Sequence, residues 1–327
     1  MAVRVLAQSA WQALEADHAR RVDAATAGHR ERRQSGTAHP VEDFLFTYYP
    51  FKPSQLRRWH PGPGALLEGA EGLDRGGWRF YREVGGGTQL DSAAYLESRS
   101  GTVDFVRRLV SATRTRPAQL GCFGLHEWAM VYRLSPDEVR HETWPLRLGS
   151  AGTDAVVETQ RITCTHYDAF RFYTPLARPL NVLQPTRESQ VALEQPGCLH
   201  AGMDLYKWAM KLAPAVPSSL AMDCFDLARE IRELDMRASP YDLSALGYVP
   251  VAIETPQGRA EYAAAQRQFA TRGQGLRERL LQALDAIDGG YSAPVAPSLG
   301  SVGSAAPSAS GSEADGPLPV SSSARMR

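Results

Sequence analysis

Three segments of the chain place a histidine near a carboxylate, a combination that serves proton transfer and metal ligation. The pairs are His126 with Glu127, His166 with Asp168, and His200 with Asp204. The last two residues are four apart on a predicted helix, so their side chains share one face. This spacing predicts either a catalytic or metal-binding pair or a contact that only stabilises the helix, and both interpretations stay open.

His166 and Asp168 follow a predicted extended run, in which alternate side chains point the same way. They could converge on a pocket at the end of a strand, and a structural hydrogen bond would explain them equally well. No cofactor is predicted for the chain. The alternative is a transition metal, and its candidate ligands are His126, His166 and His200.

Other metal and nucleotide motifs are incomplete in this sequence. Glu138-x-x-His141 matches half of a di-iron carboxylate pattern. H-E-x-x-H, P-loop, G-x-G-x-x-G and G-x-S-x-G motifs are missing as well. The four cysteines, at positions 122, 164, 198 and 224, are too far apart for a zinc knuckle and are predicted to be reduced and mostly buried.

One segment has the composition of a nucleic-acid contact. Arg57 and Arg58 stand beside Trp59 and His60, so arginine could bind phosphate while a ring stacks on a base. The whole chain has 36 basic and 36 acidic side chains, which excludes a globally basic nucleic-acid coat protein. Residues 1–116 have a net charge of +4 and the remainder −4, so any DNA contact would be local.

The elements that must position these residues are mostly helical. Hydrophobic periodicity and capping signals predict long helices near 6–34, 91–115, 120–133, 199–212, 218–237 and 255–288. Extended runs are predicted near 78–84, 143–148 and 155–164, and the aromatic-rich segment 40–64 is predicted to be mostly irregular. The predicted fold class is therefore mainly α with a small β-sheet (α+β).

The predicted helix at 218–237 carries a dense mixture of charges. One face presents Asp226, Glu230, Glu233 and Arg237, whereas Asp235 is turned away from it. Such a face is usually solvated. The alternative is a buried ion network that lines a cleft.

The chain is predicted to fold as one compact, mostly helical domain at 1–288, with an optional subdivision near 116–120. Residues 289–327 are rich in Gly, Ala, Pro and Ser, which predicts a disordered tail. No apolar run approaches the ~18–20 residues that a membrane span needs. The N-terminal segment becomes charged too early for a signal peptide, so we expect a cytoplasmic protein.

Several longer strings resemble an actinobacterial family whose members are usually named 3-methyladenine DNA glycosylase. The matching strings include REIRELDMRASPYDL and lie at 39–49, 55–62, 123–132, 165–172, 196–211 and 226–243. The resemblance spans about residues 8–285. It implies a DNA-repair hydrolase that excises alkylated purines such as 3-methyladenine by hydrolysing the N-glycosidic bond. The sequence contains neither a helix-hairpin-helix motif nor a HEAT-repeat array, the folds of known alkyl-base glycosylases.

Under this resemblance, alkylated DNA is the partner and the damaged base is flipped into an aromatic pocket. A carboxylate would stabilise the sugar cation, with Asp168 the first candidate and Asp204 the next. The residues that would stack on the base or contact the DNA are Tyr49, Trp59, Trp128, Tyr167, Arg57 and Arg58.

Two other functions remain open, and neither has an evident obligate protein partner. One is a helical small-molecule enzyme, with or without a bound metal, that uses His126, Glu127, His166, Asp168, His200 and Asp204. The other is a non-catalytic interaction protein. Convergence of the three histidines in a closed pocket would favour the first, and a scatter over the surface would favour the second. A groove rimmed by Arg57 and Arg58 would favour DNA binding.

Overall fold

Long amphipathic segments form the helices that dominate a computed structural model of the protein, in which residues 3–135, 138 and 144–289 are described. The fold is mainly helical with a small mixed sheet, as the sequence predicts. The described residues belong to one compact unit. The predicted tail lies outside them, apart from Gly289, and so does His141 of the di-iron half-motif.

Five long helices build the core: α1 (Gln8–Ser35), α4 (Ser92–Thr115), α9 (Leu199–Lys211), α10 (Ser218–Arg237) and α11 (Pro256–Gly289). Shorter helices connect them: α2 (Phe44–Tyr48), α3 (Pro53–Leu56), α5 (Leu125–Ala129), α6 (Gly149–Thr159), α7 (Tyr167–Phe170) and α8 (Gln190–Leu193). Within the described part of the chain, no helix has the length and apolar character needed to cross a membrane.

Helix α9 is buried on almost every side and packs against α10 and α11. Its contact with α10 is close because Gly202 has no side chain. A Cβ atom at Gly202 would lie 2.7 Å from Cδ1 of Ile231 on α10. Two helices that approach so closely hold the residues beside the contact at fixed separations.

The sheet consists of β1 (Arg4–Leu6), β2 (Ala65–Glu68), β3 (Tyr81–Val84) and β4 (Gly87–Leu90), in the order β1-β2-β4-β3. Strands β1 and β2 are parallel, and the other pairings are antiparallel. Leu67 of β2 packs into a separate small apolar cluster with Trp11, Trp59 and Ala70.

Two local predictions from sequence were wrong. The β-branched run near 155–164 is predicted to be extended, but α6 covers Gly149–Thr159. Val156 and Val157 are buried there, so tertiary packing overrides their strand propensity. The helix predicted near 120–133 is confined to α5, because Gly124 adopts a left-handed conformation just before it.

Candidate active site

Three histidines from distant parts of the sequence meet in the buried core. The ring centroids of His126 and His200 are 4.4 Å apart, and those of His166 and His200 are 5.2 Å apart. His126 lies in α5, His166 immediately precedes α7, and His200 lies in the first turn of α9. All three are buried, and the ring of His200 contacts the rings of both other histidines. We call these histidines, together with the carboxylates of Asp235 and Asp204 that face them, the histidine centre.

On one side of the centre, His126 faces a buried carboxylate of α10. Its Nε2 lies 3.0 Å from Oδ1 of Asp235, which is fully buried. The other carboxylate oxygen of Asp235 lies 3.4 Å from Nη1 of Arg232. The same Arg232 nitrogen lies 3.1 Å from Glu127. Arg232 therefore holds both carboxylates beside His126.

On the other side, His166 faces Asp204 of α9. The distance from His166 Nε2 to Asp204 Oδ2 is 3.3 Å, and the Tyr49 hydroxyl donates to Asp204 Oδ1 at 2.8 Å. Lys207 donates to the same carboxylate and reaches Asp168 at 3.3 Å. A charged network thus extends from the histidine centre to Asp168, whose side chain is 31% exposed.

The protonation of these groups follows from burial and from their neighbours. Burial alone would raise the pKa of Asp235, but the positive charge of His126 outweighs it and holds that pKa below its usual range. Burial would also raise the pKa of Asp204, and Lys207 and His166 lower it instead. Burial, and then the charge of His126, lowers the pKa of His200 well below its usual range. His200 is therefore neutral and keeps a lone pair on one ring nitrogen.

Several buried polar atoms of the centre have no hydrogen-bond partner among the described residues. These atoms include His126 Nε2, Asp235 Oδ1 and His166 Nδ1. The first two lie close together, but they are not aligned as a hydrogen bond. Buried polar atoms without partners are rare in native proteins, and they indicate a place for a ligand or an ordered water.

One group of donors in the described residues is compact enough to hold a metal ion. One ligand atom each from His126, His200 and Asp235 lies within 4.8 Å of the others. Asp235 thus joins two of the histidines that the sequence offers as ligands. His166 lies outside this group and pairs with Asp204 instead.

The aromatic residues proposed to stack on a base lie at different depths. Tyr49 and Trp128 are buried, and the Trp128 indole N–H donates to the Ala238 carbonyl. Tyr167 is partly exposed at the start of α7. Trp59 is buried in a different part of the molecule.

Trp59 belongs to an aromatic cage around a buried arginine. The Arg75 guanidinium carbon lies 4.4–5.9 Å from the centroids of four rings, those of Trp11, Trp59, Trp78 and Tyr81. Arg75 also donates to the Trp59 carbonyl at 2.8 Å and pairs with Glu15. We call this group the Arg75 cage.

The two arginines proposed to contact phosphate lie near the cage rather than near the histidine centre. Arg57 is exposed and pairs with Asp23 at 3.1 Å. The Arg58 guanidinium lies 4.9 Å from the centroid of Trp78, on the outside of the cage. The structure therefore separates these arginines from the carboxylates Asp168 and Asp204.

Sequence reasoning missed three residues of the site: Lys207, Arg232 and Asp235. The signal for Asp235 was present, because it is turned away from the acidic face of α10. Asp223, Asp226 and Glu230 form ion pairs on that exposed face. A charge on the opposite, apolar side of a core helix must be buried with partners.

Comparison with protein-family models, with curated proteins and with solved structures gives no match.

Proposed function

We propose that the protein is a helical enzyme that acts on a small molecule at the histidine centre. The observation that carries the proposal is the pairing of His126 with Asp235 and of His166 with Asp204 beside His200. A carboxylate that faces an imidazole orients the ring and stabilises its protonated form, as in general acid–base catalysis. Each pair joins distant parts of the chain, not neighbouring turns of one helix, so neither is explained as a contact that stabilises a single helix.

The depth of the centre supports a small substrate. His126, His166, His200 and both carboxylates are each at most 6% exposed, so a large substrate would not reach them without rearrangement. The partly exposed Asp168 and the Lys207 beside it mark the side where the network comes nearest to solvent. The convergence of the three histidines also argues against a purely non-catalytic interaction protein.

The proposal is tested by incubating the full chain with a mixture of cellular metabolites and following each compound by mass spectrometry. We expect the wild type to consume at least one compound, and His166→Asn and His200→Asn to lose at least 100-fold in rate, as expected when a general base is removed. Arg20→Ala is the control, because Arg20 is exposed and pairs only locally with Asp17. A folded wild type that consumes nothing would sink the proposal.

The glycosylase function implied by the family resemblance is the second candidate. It is supported by Asp168, whose partly exposed carboxylate could meet a flipped nucleotide beside Tyr167. Alkylated DNA is therefore added as a separate substrate, and release of methylated bases is measured. Release that Asp168→Asn abolishes while the fold stays intact would establish this function. The absence of release above background would exclude it.

A further inference from the structure

We infer that His126, His200 and Asp235 bind one divalent transition-metal ion. This inference deepens the proposed function and rests on the same centre, although metal binding is measured without any substrate. The three residues come from α5, α9 and α10, so the fold must be complete before the donors meet. An incidental surface cluster would not need three core elements.

The distances fit a shared metal ion. A metal about 2.1 Å from two neighbouring donors holds them about 3.0 Å apart at a right angle and about 3.4 Å apart at a tetrahedral angle. His126 Nε2 and Asp235 Oδ1 are 3.0 Å apart and are not aligned as a hydrogen bond. The third donor, from His200, lies within 4.8 Å of both, within reach of a small side-chain adjustment.

Two of the donors, Asp235 Oδ1 and His126 Nε2, form an ion pair with each other but make no hydrogen bond to the described residues. Asp235 directs Oδ2 towards Arg232 and leaves Oδ1 without a hydrogen-bond partner in the described residues. His126 Nε2 likewise has no hydrogen-bond partner in the part of the chain that the structure describes. A carboxylate that is oriented by a second residue through one oxygen and ligates through the other is the usual arrangement around a protein-bound metal.

The charges around the centre favour a cation. Asp235 and Glu127 bring two negative charges, and Arg232, which lies within 3.4 Å of both, brings one positive charge. An imidazole must give up its proton to bind a metal, and with both imidazoles neutral this buried group has one net negative charge, which attracts a cation. Two imidazoles and one carboxylate select Fe²⁺, Zn²⁺ or a similar ion over Ca²⁺ and Mg²⁺, which prefer oxygen ligands.

The experiment is elemental analysis of the full chain, purified without chelators and also stripped and refilled with Fe²⁺, Zn²⁺, Mn²⁺ or Co²⁺. We expect about one ion per chain in the wild type and at least a tenfold loss of bound metal in His200→Asn and Asp235→Asn. His166→Asn is the matched control, because His166 is equally buried, stacks on His200 and lies outside the donor set. It should keep its metal.

Three results would overturn the inference. The first is a folded wild type that binds none of the four ions, and the second is an equal loss of metal from His166→Asn and Asp235→Asn. Because the variants change buried residues, circular dichroism must show that each is folded, and X-ray absorption on the refilled wild type gives an independent answer. Imidazole nitrogen with carboxylate oxygen supports the assignment. Sulfur ligation, for which the buried Cys164 and Cys198 are available, is the third contrary result.

Failure of this inference and failure of the proposed function can be told apart. A protein that binds metal and consumes no metabolite loses the enzyme proposal and keeps its metal site. A metal-free protein that consumes a metabolite keeps the enzyme proposal, with His166 and Asp204 as the working pair.

Discussion

The Arg75 cage and the histidine centre both bury charge, and they do so in opposite ways. In the cage, Arg75 is surrounded by four aromatic rings, a backbone carbonyl and Glu15. In the histidine centre, His126, His166 and Asp235 each keep a buried polar atom without a hydrogen-bond partner in the described residues. A buried charge that only stabilises the fold has all its partners within the protein, whereas a buried charge that binds a ligand keeps one polar atom unpaired until the ligand arrives.

The largest expected loss of stability comes from removing the cation at the middle of the Arg75 cage. Arg75→Met should lower the free energy of unfolding by about 3 kcal/mol, because a buried ion pair loses one partner and the rings lose their cation. Urea denaturation measures the change. Metal content should stay the same, since the cage is separate from the donors His126, His200 and Asp235. A loss below about 1 kcal/mol would mean that the cage is not a stabilising site.

A second substitution tests the network beside the histidine centre. Lys207→Met should cost about 2–3 kcal/mol, because Asp204 is fully buried and loses its ammonium partner. Lys211→Met is the matched control on the same helix, since both ammonium groups lie over Trp208, at 4.4 and 5.6 Å. Equal losses from the two variants in urea denaturation would show that packing on Trp208, not the charge pair, carries the effect.

Acid should weaken the cage region through His60. Burial, and then the charge of Arg75, lowers the pKa of His60 to about 3, while the unfolded chain keeps the usual value near 6.5. The unfolded state therefore binds more protons below pH 6.5, and stability falls as pH falls from there towards the folded pKa. Between pH 7 and pH 5 the loss from His60 should be about 2 kcal/mol.

The measurement for His60 is urea denaturation at several pH values, with His60→Gln as the comparison. The variant should lose less free energy of unfolding than the wild type over the same pH range. Parallel curves for the two proteins would show that His60 is accessible to protons in the folded state.

The smallest expected loss of stability comes from Arg58, which lies over Trp78 at the edge of the cage. Arg58→Ala should cost about 0.5 kcal/mol, because an exposed guanidinium over a tryptophan contributes little. Thermal unfolding of Arg58→Ala and Arg75→Met, measured side by side, gives the ratio of the two losses of stability. A loss as large as that of Arg75→Met would mean that the exposed arginine, rather than the buried one, holds the rings.

The long helices were accessible from sequence, because amphipathic period and capping residues act locally. The predicted 218–237 helix coincides with α10, and the helix predicted at 91–115 continues through Gly101 as α4. The run near 155–164 was not accessible, since the burial of Val156 and Val157 depends on distant elements.

Part of the candidate site could also be predicted from sequence, and part could not. The histidines were chosen by residue type, and His126, His166 and His200 do meet. Their true partners were not accessible, because His126 and Asp235 are brought together by α5 and α10 rather than by spacing along the chain. Trp59 shows the reverse error, since its neighbouring arginines suggest a base contact and its ring encloses Arg75.

The absent side chain of Gly202 has a consequence for the centre. Gly202 follows His200 by two residues, and Ile231, which it touches, precedes Asp235 by one helical turn. The distance between α9 and α10 at this contact therefore fixes the distance between the donors His200 and Asp235. A methyl group added at Gly202 would push α9 and α10 apart and so increase the distance between His200 and Asp235. The glycine therefore sets the distance between two metal donors without contacting the ion itself.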